Sequence, residues 1–381
     1  MTLHGLVERL RERGGIGERV LEAFASVPRE LFLPGVPLEQ VYDDEAIVTK
    51  RDAYGVPTSS SSQPAIMAIM LEQLGLEPGM RVLEVGAGTG YNAALMSHLV
   101  GPTGEVVSVD LDADLVEAAA DHLAAAGAEG VRLVCGDGAA GYAADAPYDR
   151  MIATVGVWDL APAWLEQLAP GGRLVVPLDL RGVQVSVAME RADGHWTSTS
   201  VVPCGFMRMR GSLAGPEVVR TLDVNPSLLL FLAEPREVGD VLDALDGPVS
   251  TMSLPFRLDQ RTFAAALSLW LATHDDRWCT LTEAGEGRLH GPPVQSPGFS
   301  MTAGLACDGS LALLSTSDAR GYGPAGSELA EELVTQVVKW DEAGRPTTEQ
   351  LRIDAHPGLV ISEGPAIVKR HTTIVLTWLS G

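Results

Sequence analysis

Three glycines at alternate positions, Gly86, Gly88 and Gly90, follow the apolar run Val82-Leu83-Glu84-Val85 and lead into Tyr91-Asn92-Ala93-Ala94-Leu95. Apolar residues around a single carboxylate read as a buried strand, and the glycines let the backbone turn sharply and approach a ligand more closely than any Cβ allows. Helical spacing from Tyr91 onward sets that turn beneath a helix N-terminus, which is the geometry of a nucleotide-type binding loop. The dinucleotide fingerprint would place its third glycine at position 91, where this chain has Tyr91, so a hydride-transfer cofactor fits poorly. An isolated glycine turn is as readily an ordinary strand-to-helix connection, and the acids that follow decide its weight. Asp110 ends the run Glu105–Val109 at about 20 residues past the loop, where a carboxylate can accept from both hydroxyls of a ribose. Asp137 lies between Gly136 and Gly138 after Val131–Cys135, placed to reach an adenine amino group. The plain alternatives are a helix cap for Asp110 and a tight turn for Asp137.

The elements that must position these residues alternate along the chain. Leu3, Leu6, Val7 and Leu10, then Val20, Leu21 and Phe24, predict two short amphipathic packing helices parted by Gly14-Gly15. Thr58-Ser59-Ser60-Ser61-Ser62-Gln63-Pro64 is a hydroxyl run feeding a helix whose apolar face is Ile66, Met67, Ile69, Met70, Leu71 and Leu74; Ser62 or a neighbour would cap it. Strands are predicted at Val82–Val85, Glu105–Asp110, Val131–Cys135, Pro147–Thr154 and Leu174–Pro177, with helices between them and an antiparallel pair, Val183–Met189 and Trp196–Val202, at the end. Such alternation makes an open, mostly parallel α/β sheet, and right-handed crossovers bring Gly86–Gly90, Asp110 and Asp137 to one edge.

Composition narrows the partners. A net charge of −23 lacks the basic footprint that nucleic acid requires and disfavours an anionic membrane surface. Cys135, Cys204, Cys279 and Cys307 are scattered without a C-x-x-C pair, so no metal site or disulfide framework is expected. Charged residues close behind Met1 leave no apolar core of signal-peptide length, and no later run approaches membrane-spanning length, so a cytoplasmic protein is expected.

A G-x-G-x-G turn behind an acid-bearing strand resembles the S-adenosylmethionine-dependent methyltransferases of the doubly wound class I fold. More specifically, residues 29–203 resemble the protein-L-isoaspartate O-methyltransferases. The resemblance rests on Arg29-Glu30-Leu31-Phe32-Leu33-Pro34, Tyr42-Asp43, Ser62-Gln63-Pro64, Val82–Gly90 with Tyr91 and Ala93-Ala94, Gly136-Asp137-Gly138, Ala146-Pro147-Tyr148-Asp149, Leu165-Glu166-Gln167-Leu168 and Gly171-Gly172-Arg173-Leu174-Val175-Val176-Pro177. It implies S-adenosylmethionine as methyl donor, with Glu84, Gly86, Gly88, Gly90, Asp110, Asp137 and Gly138 as the cofactor residues and Ser62 as the hydroxyl beside the acceptor carboxylate. A carboxylate with a pKa near 4 is ionised at neutral pH, so O-methylation needs alignment and exclusion of water, not a general base.

Three features depart from that family's usual pattern. Ser61 stands where an apolar residue precedes the serine, Pro203–Gly211 replaces the apolar segment that finishes the sheet, and about 170 further residues follow, a domain's worth. Helical spacing at 261–273 and 327–340 and strand-like pieces at 278–282, 311–315 and 367–378 predict a C-terminal α+β domain. The expected division is an N-terminal helical and substrate-loop segment at 1–80, the cofactor sheet at 81–211 and an extension at 212–381. Its bland role is dimerisation or stabilisation. Extended members of the family resemble methyltransferases of lanthipeptide and graspetide pathways, which implies a partner peptide bearing Asp or isoAsp, a cyclised ribosomal precursor, with the extension reading its ring.

Overall fold

In a computed structural model, residues 2–53, 57–128, 130–224, 227–285, 287–296, 298–362 and 364–379 are described. The two amphipathic helices are α1 (Leu3–Arg13) and α2 (Glu18–Ser26), with Leu6, Val7, Leu10, Val20, Leu21 and Phe24 buried. Gly14 and Gly15, at φ 76° and 73°, turn the chain between them as residues with a Cβ rarely can. A 3₁₀ turn at Arg29–Phe32 and the short α3 (Leu38–Val41) lead to a hairpin of β1 (Ile47–Arg51) and β2 (Pro57–Ser61), then to α4 (Pro64–Leu74).

The hydroxyl run is therefore mostly strand. Ser60 pairs with Val48 and Ser61 with Ile47. No serine caps α4: its N-cap is Gln63, without a side-chain bond, and the Asp44 carboxylate accepts from the Ala65 amide at 2.8 Å. Pro64, at the first helical position, lacks the N–H that would have needed a cap.

The first sheet contains β3 (Arg81–Val85), β4 (Glu105–Asp110), β5 (Val131–Cys135), β6 (Tyr148–Ala153), β7 (Leu168–Leu180), β8 (Val183–Ala192) and β9 (His195–Pro203). Pairing is parallel along β7-β6-β3-β4-β5 and antiparallel along β7-β8-β9. Helices α5 (Tyr91–Val100), α6 (Ala113–Ala125) and α7 (Pro162–Gln167) supply crossovers. Val82 and Leu83 of β3 are fully buried in the cores on either side of the sheet, each burial favourable by about 1.5–3 kcal/mol. This is the doubly wound methyltransferase architecture, with every parallel strand's C-terminal end on one edge.

The extension forms a second, eight-stranded sheet: β10 (Val219–Val224), β11 (Ser227–Leu232), β12 (Val249–Ser253), β13 (Trp278–Ala284), β14 (Val294–Ser296), β15 (Phe299–Cys307), β16 (Ser310–Leu314) and β17 (Asp318–Tyr322). Its core takes Phe263, Leu267 and Leu271 from one helical segment and Leu329, Leu333, Val337 and Trp340 from the helix Gly326–Glu342, around Trp278. Asp259 caps the first of these, accepting from the Thr262 amide at 2.8 Å. The chain then returns. β18 (Leu351–Pro357), β19 (Ala366–Val368) and β20 (Thr372–Trp378) join the first sheet beyond β9, making it ten-stranded. The last three strands, which follow residue 211 in the chain, thus pair into the first sheet, and the piece expected as one strand at 367–378 is two, hinged by a turn in which the Lys369 amide bonds the Thr372 carbonyl at 2.8 Å. Among the described residues no helix is long and apolar enough to cross a membrane.

Candidate active site

A cavity of about 1190 Å³ opens over the C-terminal edge of the parallel strands. Its floor is the glycine loop, shaped by contacts that a Cβ would destroy. Gly86 sits at φ 105°, and a Cβ there would lie 2.8 Å from the Thr154 hydroxyl, which itself donates to the Gly86 carbonyl at 2.6 Å. Asp110 accepts from the Gly88 amide at 2.9 Å and from the Asp112 amide at 3.2 Å. These two bonds leave lone pairs of the same carboxylate available toward the cavity. Asp110 therefore does not cap α6, whose N-cap is Asp112 without a side-chain bond; it orders the turn and lines the cavity.

Ser62, Gly86, Gly88, Asp110 and Gly138 all line this space. Glu84, Gly90 and Asp137 lie outside its lining. Glu84 is fully buried beneath the loop, accepting from Asn92 Nδ2 at 2.8 Å and Ser108 Oγ at 2.5 Å, and burial raises its pKa to about 7. Gly90, at φ 86°, starts α5, and a Cβ there would press on Ala119 and Leu123 of α6 at 3.3 Å. Asp137 accepts from the Ala139 amide at 3.0 Å and the Ser212 amide at 2.8 Å, tying β5 to the linker that leaves the sheet.

The opposite wall is the hairpin. Strand alternation turns Ser59 and Ser61 inward, where Ser59 Oγ accepts from Thr49 and Ser61 Oγ from Arg29. Among the described residues the Ser62 hydroxyl has no partner, while its carbonyl accepts from Arg29 Nη2 at 2.9 Å. Arg29 also donates to the Val41 carbonyl at 2.9 Å. It is wholly buried, desolvation lowers its pKa, and its guanidinium lies 5.8 Å from the Tyr91 ring centroid. One side chain thus fixes Ser62 and the 41–45 loop on the helix that begins at the glycine turn. The sequence flagged Arg29 within a motif and gave it no role, since its acceptors lie 12 and 33 residues away.

The segment Pro203–Arg210 closes a third side. It is stitched to the β6–α7 connection by Gly156 N to Met207 O at 2.7 Å and Met209 N to Gly156 O at 2.8 Å. At the mouth, Asp112 takes Lys50 Nζ at 2.7 Å from the hairpin and Arg210 Nη2 at 2.9 Å from the linker, and the Arg210 bond leads in holding its carboxyl below the usual range. Ser296 and Phe299, at the paired ends of β14 and β15, bring the extension onto the same cavity.

Residues 1–213 match the family described as Protein-L-isoaspartate(D-aspartate) O-methyltransferase (PCMT). The chain belongs to this family. A protein-L-isoaspartate O-methyltransferase of Thermotoga maritima is 45% identical over 168 residues, 44% of this chain and 52% of its own length, so the chain spans about half of that relative. One from Hyperthermus butylicus is 39% identical over 216 residues, 54% of this chain and 87% of its own. A solved protein-L-isoaspartate O-methyltransferase structure superposes with a TM-score of 0.55 at 26% identity, covering 99% of both chains, extension included.

S-adenosylmethionine is the methyl donor of the family, and the residues present fit it. Gly86 has no room for a Cβ and Gly88 stands at φ 53°, Asp110 keeps acceptor capacity toward the cavity, and the buried Tyr91 hydroxyl on its wall has no partner among the described residues.

Proposed function

We propose that the protein is an S-adenosylmethionine-dependent O-methyltransferase of a peptide aspartyl or isoaspartyl carboxylate, its substrate a cyclised ribosomal precursor peptide. The observation that carries this reading is the Ser62 hydroxyl, without a partner among the described residues, on a residue whose carbonyl Arg29 holds on the wall facing the glycine loop and Asp110. Bound in the loop, the cofactor supplies an electrophilic methyl on a sulfonium, which leaves a neutral thioether once the methyl has gone. Ser62 donates to one carboxylate oxygen and so orients the other toward that methyl. Asp110, Gly86 and Gly88 hold the cofactor end, and Pro203–Arg210 with the hairpin keeps water from the acceptor. The methyl ester carries methoxide as a leaving group, where the carboxylate could expel only oxide. The next backbone nitrogen attacks its carbonyl, loses its proton and expels methanol, giving a succinimide whose hydrolysis yields aspartate and isoaspartate.

A cyclised substrate is favoured by the place of Ser296 and Phe299: the extension lines the cavity itself, where it meets residues flanking the acceptor. The second reading, repair of isoaspartyl proteins with an accessory domain, is favoured by the full-length likeness to a solved protein-L-isoaspartate O-methyltransferase. Incubation with cofactor and, separately, a cyclised precursor, its linear form and a generic isoaspartyl peptide discriminates by mass. Methyl gain followed by methanol loss on the cyclised peptide alone is expected; turnover of the isoaspartyl peptide alone establishes the repair reading instead.

A further inference from the structure

A second cavity, of about 150 Å³, lies where the first sheet, the linker after Gly211 and the extension meet, lined among others by Trp158, Asp179, Arg181, Arg208, Glu234 and Lys369. Its composition is unusual for a chain this acidic. The sequence has three lysines, Lys50, Lys339 and Lys369. Lys50 is ion-paired and Lys339 is exposed, whereas Lys369 keeps only 8% of its surface accessible.

The ammonium of Lys369 donates to the Asp179 carbonyl at 2.6 Å and sits 5.2 Å from the centroid of Trp158. No carboxylate among the described residues makes an ion pair with it. The acids that face it are otherwise engaged. Asp159 accepts from the His371 amide and the Thr372 hydroxyl, both at 2.6 Å, and from the Leu160 amide at 2.8 Å. Asp179 accepts from the Gly182 amide at 2.8 Å, and Glu234 faces Arg181 at 3.6 Å. Arg208 donates to the Pro216 carbonyl at 3.0 Å and also has no ion pair among the described residues. Arg370 bonds the Ser212 carbonyl and lies 5.8 Å from the same Trp158 ring.

A buried ammonium with one carbonyl for company carries a desolvation penalty that a single neutral acceptor does not offset. Burial accordingly pulls the Lys369 pKa down to about 8, which leaves it mostly charged at neutral pH. Among the described residues neither Lys369 nor Arg208 has a carboxylate within ion-pair distance, and Asp179, Asp159 and Glu234, whose charges favour the ammonium from further off, are turned to other donors, so the cavity lacks an oxyanion in direct contact with its two cations. At about 30 Å³ for each water displaced, the space suits a group of a few heavy atoms. A cation is repelled, and an apolar group would leave both charges unpaired.

We propose that this cavity is a binding site for a small oxyanion, a carboxylate or phosphate group held between Lys369 and Arg208 beside the Trp158 ring. The two donors come from segments far apart in sequence, the turn between β19 and β20 and the linker. A bound anion therefore pins the returning strands to the linker. Arg208 also lines the catalytic cavity, so the pinned linker is the one that walls the site above. The oxyanion has two possible sources, a free small anion or an acidic side chain of the peptide substrate, and the chemistry of recognition is the same. The anion site itself does not depend on the methyltransferase reading; only the assignment of its source to the substrate rests on it.

Inorganic phosphate is the probe. Titrated into the full chain at constant ionic strength, it is expected to raise the melting temperature saturably, with half-effect well below about 100 mM. Lys369→Met, which keeps the stem and removes the charge, is expected to weaken phosphate at least about tenfold, as is Arg208→Gln. Amine-reactive labelling of the unmodified protein gives a measurement that does not depend on a variant folding. Phosphate should slow labelling of Lys369 and leave Lys50 and Lys339 unchanged. No saturable response to phosphate, or an undiminished one in Lys369→Met, or Lys369 labelling indifferent to phosphate, overturns the proposal. The source is then read from turnover: phosphate that raises KM for a peptide with a Glu but not for its Gln counterpart identifies the substrate side chain, and phosphate that binds without changing either KM identifies a free anion.

Discussion

On one side of the catalytic cavity the wall is backbone, a turn whose shape follows from where β3 ends and α5 begins. On the other it is a two-stranded hairpin and a linker, held in place by long side chains reaching across the chain. The first wall has almost no freedom: the Gly86 amide bonds the Val109 carbonyl at 2.8 Å, and Asp110 anchors the Gly88 amide. The second depends on Arg29, Lys50, Asp112 and Arg210, three of which are partly exposed. A rigid floor and a tethered roof suit a reaction in which a constant donor meets acceptors that differ. Substitutions on the two walls should therefore separate donor affinity from turnover.

The largest effect belongs to the floor. Gly86→Ala places a Cβ 2.8 Å from Thr154 Oγ1 at a φ of 105°. Strain of about 1–3 kcal/mol should weaken S-adenosylmethionine by about ten- to a hundredfold in calorimetric titration, and unchanged affinity would show that the loop is not the donor site. Arg29→Met acts on the roof. It leaves the Val41 and Ser62 carbonyls without their charged donor, each such bond being worth about 1.5–3 kcal/mol. Turnover should fall about thirtyfold, with a lower melting temperature, while donor affinity changes less than about threefold.

Ser62→Ala removes one hydroxyl from the same wall. A loss of about tenfold in kcat/KM with donor affinity intact is expected, the scale of a single hydrogen bond to a charged oxygen. Equal loss of donor binding would make Ser62 structural. At the mouth, a double-mutant cycle between Lys50→Met and Asp112→Asn should return about 0.5 kcal/mol or less, fading as salt is raised, because the pair is solvent-accessible.

The two walls also differ in how far the sequence revealed them. The floor was legible because its signals are local: alternate glycines after an apolar run, and an acid at the end of the next strand. The same local reading did not reveal the partners of its acids, since nothing in the motif says that Glu84 accepts from Asn92 and Ser108 beneath the loop or that Asp137 accepts from the Ser212 amide 75 residues away. The roof was legible only as a hydroxyl run. Its strand character comes from pairing with β1, and the expected cap was supplied by Asp44, about 20 residues earlier. Least legible was the return of β18–β20. Their alternation is that of any half-buried strand, and their place is set by contacts such as the Thr197 hydroxyl on Asp354, 157 residues away in the chain.

Glu84 gives the smallest effect on turnover and the sharpest test of how the floor is built. Its carboxyl is buried between two donors, Asn92 and Ser108, and desolvation outweighs them, raising its pKa from 4.5 to about 7. A raised carboxyl pKa means that between pH 4.5 and 7 the folded protein holds a proton that the unfolded chain has lost. Stability from this group is therefore fully present below pH 4.5 and declines as pH rises to about 7, at a slope of at most about 1.4 kcal/mol per pH unit. Gln in its place can accept from Asn92 and donate to the Ser108 oxygen, keeping both bonds without a charge. Glu84→Gln should accordingly flatten the pH dependence of the denaturant midpoint across that window and leave S-adenosylmethionine affinity within about twofold. A large loss of affinity with the pH profile unchanged would instead put the carboxylate in direct contact with the donor, and the floor would owe its selectivity to a side chain as well as to its backbone.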